Sequence, residues 1–354
     1  YNIKRMLKSS ESEYHIKQKN VLLLACDPIP IVRVGFIGLG TRASRALKRY
    51  MHLDGVEIIA LCDILPPNIE QSQEVLSACN HPRAIEYSGN NAWKEVCQRI
   101  DIDLIYICTD WLNHTPMAVY AMECGKHVAV EVPAATTVDE CWQLVDAAER
   151  TRRHCMMLGN CCYDLFELTT LNKIQQGVFG KIIHGEGAYI HDLREMMFAE
   201  KAEGGFHDFW QKRFNTQHTG NPYPTHGLGP ICQAMNIHRG DKMNRLVSMS
   251  TKQMGMSRYA KDRFGENSEE AKQNYKLGDM NNTLIYTEKG KTILIQHDIF
   301  NPRPYSRIHL LNGTKGYTQK YPVRQFAFYP NPDSVLTVEE MEERLRKYEH
   351  PLIK

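Results

Sequence analysis

Gly38-Leu39-Gly40-Thr41-Arg42-Ala43 fits the pattern G-x-G-x-x-G/A, and Asp63 stands 25 residues after Gly38. In that pattern the first glycine permits a tight turn, the second lets the backbone approach a pyrophosphate, and a small third residue lets helix and strand pack closely. The helix that follows presents its N-terminus to the negative charge. A lone match says little. Here it directly follows an apolar run, Ile31 to Ile37, and opens a helical stretch, Thr41 to about His52, while Asp63 closes the next apolar run, Val56 to Cys62. Asp63 would accept hydrogen bonds from the adenosine ribose hydroxyls and repel a 2′-phosphate, and Ile64 supplies no positive charge. The pattern points to NAD rather than NADP.

Other residues suited to chemistry lie further along. Thr109-Asp110-Trp111-Leu112-Asn113-His114 and Glu131-Val132-Pro133 each follow a short apolar run, and in open α/β sheets ligands lie beyond the carboxyl ends of strands. Asn113 or Thr109 serves equally well as a helix N-cap. Trp111 is less easily explained as a cap and would wall a cofactor. Tyr223 and His226 are spaced i,i+3 at a helix start, so they share a face, and Gly227 and Gly229 allow close approach of a ligand. An imidazole titrates near neutrality and suits acid–base work, although a histidine there also serves as a cap or a packed side chain. Tyr189 closes a β-type segment, and His191 either supports it or is simply exposed. No His, Asp or Glu spacing demands a metal. No pair of carboxylates suggests an ordinary glycosidase site.

These residues need elements to position them. Leu104–Cys108, His127–Val130 and Cys155–Leu158 read as further buried strands, with helical stretches near Asn113–Glu123 and Thr137–Arg150. Strand–helix alternation at this spacing means parallel βαβ units. After about Gly159 the period changes. One helix, Asp164–Gln176, ends at Gly177, and β-type segments follow at Ile182–Ile190, Leu246–Gln253, Asn282–Thr287, Thr292–Asp298 and Tyr305–Leu311. Glu288-Lys289-Gly290-Lys291 reads as a hairpin turn, and Lys261–Tyr275 as a polar surface loop. The fold class is α/β: an N-terminal Rossmann dinucleotide-binding domain, residues 31–158, and a C-terminal α+β domain with a largely antiparallel sheet, residues 159–354. Residues 1–30, ending in Asp27-Pro28-Ile29-Pro30, read as an arm or linker.

Composition narrows the class. A length of 354 residues suggests about two domains at roughly 150 residues each. The 42% apolar and 24% charged fractions are globular, and a net charge of +2 offers no basic excess for nucleic acid or an anionic membrane. No apolar run is long enough for a membrane span, and no signal peptide is visible. The 11 cysteines contain no C-x-x-C pair. Cys62, Cys108, Cys155 and Cys232 read as small buried hydrophobes, and vicinal Cys161-Cys162 is poorly placed to bridge. Such usage suits a reducing compartment.

A Rossmann half with glutamate-X-proline after its fifth strand, followed by a β-rich half, resembles the glucose–fructose oxidoreductase/inositol dehydrogenase superfamily. That superfamily usually has Glu-Lys-Pro here, the lysine hydrogen-bonding the hydroxyl being oxidised. Val132 cannot do this, so an ordinary dehydrogenase is disfavoured. More specific segments are Glu131-Val132-Pro133-Ala134-Ala135, Asn160-Cys161-Cys162-Tyr163, His184-Gly185-Glu186-Gly187-Ala188-Tyr189-Ile190-His191, Tyr223-Pro224-Thr225-His226-Gly227-Leu228-Gly229-Pro230, Asn236-Ile237-His238-Arg239-Gly240 and Arg303-Pro304-Tyr305. Together these resemble glycoside hydrolase family 109, the NAD-dependent α-N-acetylgalactosaminidases, over about residues 28–350.

The resemblance implies cofactor contacts at Thr41, Arg42, Asp63, Trp111 to His114, Glu131, Val132, Asn160 and Tyr223. It implies substrate contacts at Tyr189, Tyr223, Pro224, Thr225, His226 and Tyr305. A further family arginine directly follows a tryptophan; here Trp210 is followed by Gln211, with Arg213 two places on, so either Arg213 substitutes or that contact is lost. The implied route oxidises C3 of the sugar, removes the acidified C2 proton, expels the aglycone, adds water and returns the hydride. His226 would handle the C3 hydroxyl proton and Tyr189 the C2 proton, and Tyr223 would assist aglycone departure or contact nicotinamide. The expected partner is a glycoside ending in N-acetylgalactosamine, and the expected assembly a homo-oligomer. Relatives are often exported to the periplasm or cell envelope, whereas the cysteines suit the cytoplasm. The family also implies a helical part beyond Lys354. Two other readings are an NAD-dependent sugar or cyclitol dehydrogenase and a non-catalytic NAD- or sugar-binding protein.

Overall fold

The computed structural model describes residues 19–328 and 336–353. Most of the expected N-terminal arm, residues 1–18, lies outside the described residues; residues 19–30 carry no helix or strand. The chain divides into two compact units, the first running to Leu158 and the second starting at Gly159.

The first unit alternates strand and helix: β1 Val32–Ile37, α1 Thr41–Tyr50, β2 Val56–Asp63, α2 Pro66–Ala78, β3 Ile85–Ser88, α3 Ala92–Gln98, β4 Leu104–Ile107, α4 Trp111–Glu123, β5 His127–Val130, α5 Val138–Thr151 and β6 Cys155–Met157. All six strands are parallel, in the order β3-β2-β1-β4-β5-β6. The order reverses between β1 and β4, which puts the ends of those strands at the crevice where such sheets bind dinucleotides. Apolar side chains on the two faces feed two cores. One gathers Ile37, Ile105, Ile107 and Val130 under Val96, Ala118 and Ala147. The other gathers Val34, Phe36 and Tyr106 under Ala46, Leu47 and Leu76. Helix α5 starts with a capping box between Thr137 and Glu140.

The second unit holds β7 Ile182–Ile190, β8 Met243–Ser250, β9 Met280–Thr287, β10 Thr292–Asp298, β11 Leu310–Gly313, β12 Gly316–Gln319 and β13 Gln325–Phe328. They form one sheet in the order β13-β12-β11-β7-β10-β9-β8. It is antiparallel except for β7 and β10, which run parallel with Tyr189 opposite His297. The helices are α6 Leu165–Gln175, α7 Arg194–Phe198, α8 Trp210–Gln217, α9 Thr225–Met235, α10 Gly255–Phe264, α11 Glu269–Lys272 and α12 Val338–Lys347. Helix α9 lies on β7 so closely that a Cβ on Gly187 would stand 2.4 Å from the Gly227 carbonyl oxygen, and one on Gly227 would stand 2.3 Å from the Ala188 nitrogen. These two glycines let backbone rest on backbone.

Two expectations are corrected. Lys261–Tyr275 is not a surface loop: it contains the end of α10 and all of α11, and Ala271 and Tyr275 pack inward. The buried residues there are too widely spaced among charges to look amphipathic. The strand expected at Tyr305–Leu311 begins only at Leu310, because Ile308 and His309 take left-handed φ values of 59° and 50°. Before that break the segment still bonds to β7, Ala188 N donating to the Arg307 carbonyl at 2.8 Å and Ile190 N to the Ser306 carbonyl at 3.0 Å.

Candidate active site

In the first unit the glycine turn joins β1 to α1. Gly38 has φ +85°, and a Cβ there would lie 2.4 Å from the Cys108 carbonyl oxygen. Gly40 precedes α1, and a Cβ there would meet nothing within 4 Å. The helix N-terminus therefore opens on free space, with Thr41 and Arg42 exposed beside it and Ala43 buried against the sheet. A pyrophosphate fits that cradle. Asp63, only 8% exposed, accepts from Leu39 N at 2.6 Å and Leu65 N at 2.8 Å. Its carboxylate pins the turn, and its remaining lone pairs stay available to ribose hydroxyls.

Glu131, just after β5, is buried and accepts from the Tyr106 hydroxyl at 2.5 Å and from Arg42 Nε at 3.0 Å, both at Oε1. Burial and this carboxylate push the Tyr106 phenol well above its ordinary range. Val132 is buried, and its peptide bond to Pro133 is cis. No amine occupies that position of the glutamate-X-proline segment.

The Trp111–His114 segment follows β4 and opens α4. Asp110 caps α4, accepting from Leu112 N at 3.1 Å, so neither Asn113 nor Thr109 is the cap. The Asn113 amide donates to Asp110 Oδ2 at 2.5 Å. Trp111 and His114 are buried, Leu112 exposed. His114 sets Nδ1 2.7 Å from the Pro133 carbonyl and Nε2 3.1 Å from the Thr109 carbonyl. Its ring ties the two strand-end loops together, and burial lowers its pKa. Asn160 lies in the second unit, where it opens a 3₁₀ turn, Asn160–Tyr163.

The second unit gathers a cluster of rings. Tyr189, at the end of β7, lies 4.8 Å from Tyr223 and 5.3 Å from His226, centroid to centroid, and Tyr223 lies 4.7 Å from His226. Tyr223 precedes α9 instead of sharing its face: Pro224 is the N-cap and the helix starts at Thr225. Asn221 Oδ1 accepts from Tyr223 N at 3.1 Å and fixes that approach. The Tyr189 hydroxyl is 3.1 Å from His191 Nδ1, and Tyr305 meets His191 edge-on at 5.0 Å.

Gln211 and Arg213 are separated. They lie two places apart on α8, about 200° around the helix. Gln211 is buried, and its Oε1 has no hydrogen-bond partner among the described residues. Arg213 pairs with the Asp208 carboxylate at 2.7 Å on the exposed side.

Two supporting residues escaped the sequence reading. His297 stacks on Tyr189, centroids 6.2 Å apart, and burial pushes its pKa down to about 4. It continues the alternation Ile293, Ile295, His297 toward the covered face, and a histidine inside that apolar alternation was the available signal. Arg307 donates to the Tyr305 hydroxyl and holds Asp164 at 3.2 Å; Lys320 joins Asp164 at 3.1 Å and Glu167 at 2.7 Å. The described residues contain no group of three or more His, Cys, Asp or Glu able to hold a metal, and all 11 cysteines are free thiols.

A parallel sheet with this glycine turn and acidic strand end defines an NAD-binding oxidoreductase fold, here joined to a second unit that carries a tyrosine–histidine cluster. Residues 32–158 match the oxidoreductase family with an NAD-binding Rossmann fold, and residues 163–354 match the glycosyl hydrolase 109 C-terminal domain. The chain is 59% identical over 334 residues to an alpha-N-acetylgalactosaminidase of Bacteroides fragilis, covering 94% of this chain and 79% of that protein. It is 57% identical over 336 residues to glycosyl hydrolase family 109 protein 2 of Phocaeicola vulgatus, covering 95% and 81%. The chain belongs to glycoside hydrolase family 109; it is an NAD-dependent enzyme. Among solved structures, levoglucosan dehydrogenase in complex with NADH and levoglucosan superposes with a TM-score of 0.64 at 17% identity, over 86% of this chain and 78% of that one. At that identity the likeness is one of fold.

Proposed function

We propose that this enzyme hydrolyses α-linked N-acetylgalactosamine, the first unit holding NAD and the second the sugar. The observation that carries the reading is the Tyr189–Tyr223–His226 cluster: two phenols and an imidazole in ring contact, in a chain whose relative bears that substrate in its name. Gly38, Gly40, Thr41, Arg42 and Asp63 would hold the dinucleotide, with Glu131, Val132 and the Trp111–His114 loop of the same unit around it. NAD, when bound, supplies a reversible hydride sink for C3 of the sugar, so the net reaction carries no redox change.

The protein's own residues manage the protons. His226 takes the proton of the C3 hydroxyl. With C3 a carbonyl, the C2 hydrogen is acidic, and Tyr189 Oη takes it. Tyr223 stands beside both rings and assists departure of the aglycone from C1, after which water adds. Tyr305, Pro224 and Thr225 line the sugar. Gln211, on the buried side of α8, replaces the family arginine, and Arg213 does not. Val132 in place of a lysine removes the amine that an alcohol dehydrogenase of this fold would use, which favours hydrolysis over net oxidation.

The open face of the second sheet carries Val247, Met249, Leu284 and Tyr286, all exposed, and a second copy of the chain packing there would make a homo-oligomer; sedimentation at micromolar concentration tests it. Among the described residues no helix is long and apolar enough to cross a membrane.

The assay is direct. With an aryl α-N-acetylgalactosaminide, the reading predicts aglycone release without net NADH. Steady NADH accumulation with free N-acetylgalactosamine would instead establish a sugar dehydrogenase.

A further inference from the structure

Tyr189 and His191 are i and i+2 at the end of an extended strand, so their side chains leave the same face. The Tyr189 hydroxyl lies 3.1 Å from His191 Nδ1. The His191 backbone N donates to the Asp298 carbonyl at 2.9 Å, which fixes the base of the ring, and Tyr305 packs edge-on at 5.0 Å. A neutral imidazole protonated at Nε2 offers Nδ1 as an acceptor.

The groups around this pair leave that role open. The Asp192 carboxylate is held by Arg194, at 2.9 and 2.7 Å. Arg307 is engaged with Tyr305 and Asp164. On the other sides of Tyr189 stand Tyr223, His226 and the uncharged His297. Partial burial lowers the His191 pKa, Arg307 lowers it further, and Asp192 opposes them.

We propose that His191 is a positioning residue that relays the proton of Tyr189. This rests on the reading of Tyr189 as the C2 base. As Tyr189 Oη takes the C2 proton, its own O–H bond breaks and an N–H bond forms at His191 Nδ1. The C2–H electron pair passes into the C1–C2 π-bond while the C1–O bond breaks, and the aglycone oxygen leaves with the C1–O bonding pair. His191 then releases its proton to solvent, and the aglycone takes one from solvent. A phenol with an ordinary pKa of about 10 thereby acts at neutral pH without becoming a free phenolate.

The test is the pH profile of kcat and of C2 hydrogen exchange in the NAD-loaded enzyme. The wild type is expected to lose rate on an acid limb below the ordinary imidazole range, because burial lowers the His191 pKa; a limb whose slope reports a single ionisation would overturn the relay without any variant. His191→Asn keeps an acceptor but cannot hold a proton. It is expected to lower kcat at pH 7 by about 10²-fold, leave KM and bound NAD nearly unchanged, and make the acid limb shallower, from two ionisations to the one that His226 contributes. Wild-type rates, or a limb in H191N as steep as that of the wild type, would overturn the proposal. Tyr189→Phe separates the two readings. If Y189F still exchanges C2 hydrogen, the assignment of Tyr189 fails; if Y189F is dead while H191N is normal, only the relay fails.

Discussion

Tyr106 donates its hydroxyl to Glu131 across 2.5 Å, from the strand that neighbours the one Glu131 follows. The same carboxylate oxygen receives Arg42 from the first turn of α1. One buried carboxylate therefore joins β4, the end of β5 and the helix whose N-terminus faces the dinucleotide cradle.

Tyr106→Phe removes the buried donor and leaves a desolvated carboxylate. A hydrogen bond to a charged group contributes about 1.5–3 kcal/mol, and the first unit should lose stability of that order, with weaker NAD binding as Glu131 and Arg42 shift. Urea unfolding and an NAD titration measure both. Unchanged stability would show that the bond contributes nothing net.

Gly227→Ala places a methyl 2.3 Å from the Ala188 nitrogen, where neither backbone can yield cheaply. Overpacking of this kind costs about 1–3 kcal/mol, and moving α9 off β7 also separates Tyr223 and His226 from Tyr189. Turnover should fall at least about 10-fold, because misplacement of about 1 Å is enough to do so. Gly229→Ala meets the Cys162 side chain at 2.9 Å instead of backbone, and its loss of turnover should be smaller. Equal activities would contradict the backbone-contact argument.

The strand–helix alternation of the first unit was legible because buried parallel strands are short apolar runs bounded by turns; His127–Val130 was placed to the residue. The edge strand Ile85–Ser88 was not, since its residues are largely exposed and lack an apolar run. In the second unit Ile182–Ile190 and Thr292–Asp298 were legible, but their parallel pairing was not, because nothing local records which distant strand lies alongside. That pairing is what puts His297 under Tyr189. The glycine turn and Asp63 followed from spacing alone. Tyr223 and His226 were paired by their i,i+3 spacing, although on a helix face that Tyr223 does not share; Tyr189 joined them only through the family resemblance, and the Arg307 support of Tyr305 followed from neither, because it depends on an irregular segment bonded across to β7.

Acid should unfold the second unit through its buried histidines. Burial lowers His297 to about 4 and His309 to about 3. The unfolded chain takes up these protons below about 6.5 while the fold does not, so stability is complete above about 6.5 and falls as pH drops through 4. His297 alone accounts for on the order of 3 kcal/mol. In His297→Phe the acid loss should shrink while His309 keeps part of it. An unaltered pH dependence of urea unfolding would remove His297 from this role.

Asp63→Asn keeps an oxygen for the turn but loses the charge that repels a 2′-phosphate. Preference for NAD over NADP should narrow by about 10-fold, the effect of roughly 1.4 kcal/mol. Calorimetric titration with both dinucleotides reads this, and an unchanged ratio would place the selectivity elsewhere.

The central claim is that the C2–H bond breaks and re-forms during hydrolysis. Incubation with an aryl α-N-acetylgalactosaminide in deuterated water, followed by mass and NMR analysis of the released sugar, measures this directly. The account predicts one deuterium at C2 of the released N-acetylgalactosamine; released sugar that keeps its original C2 hydrogen would contradict it.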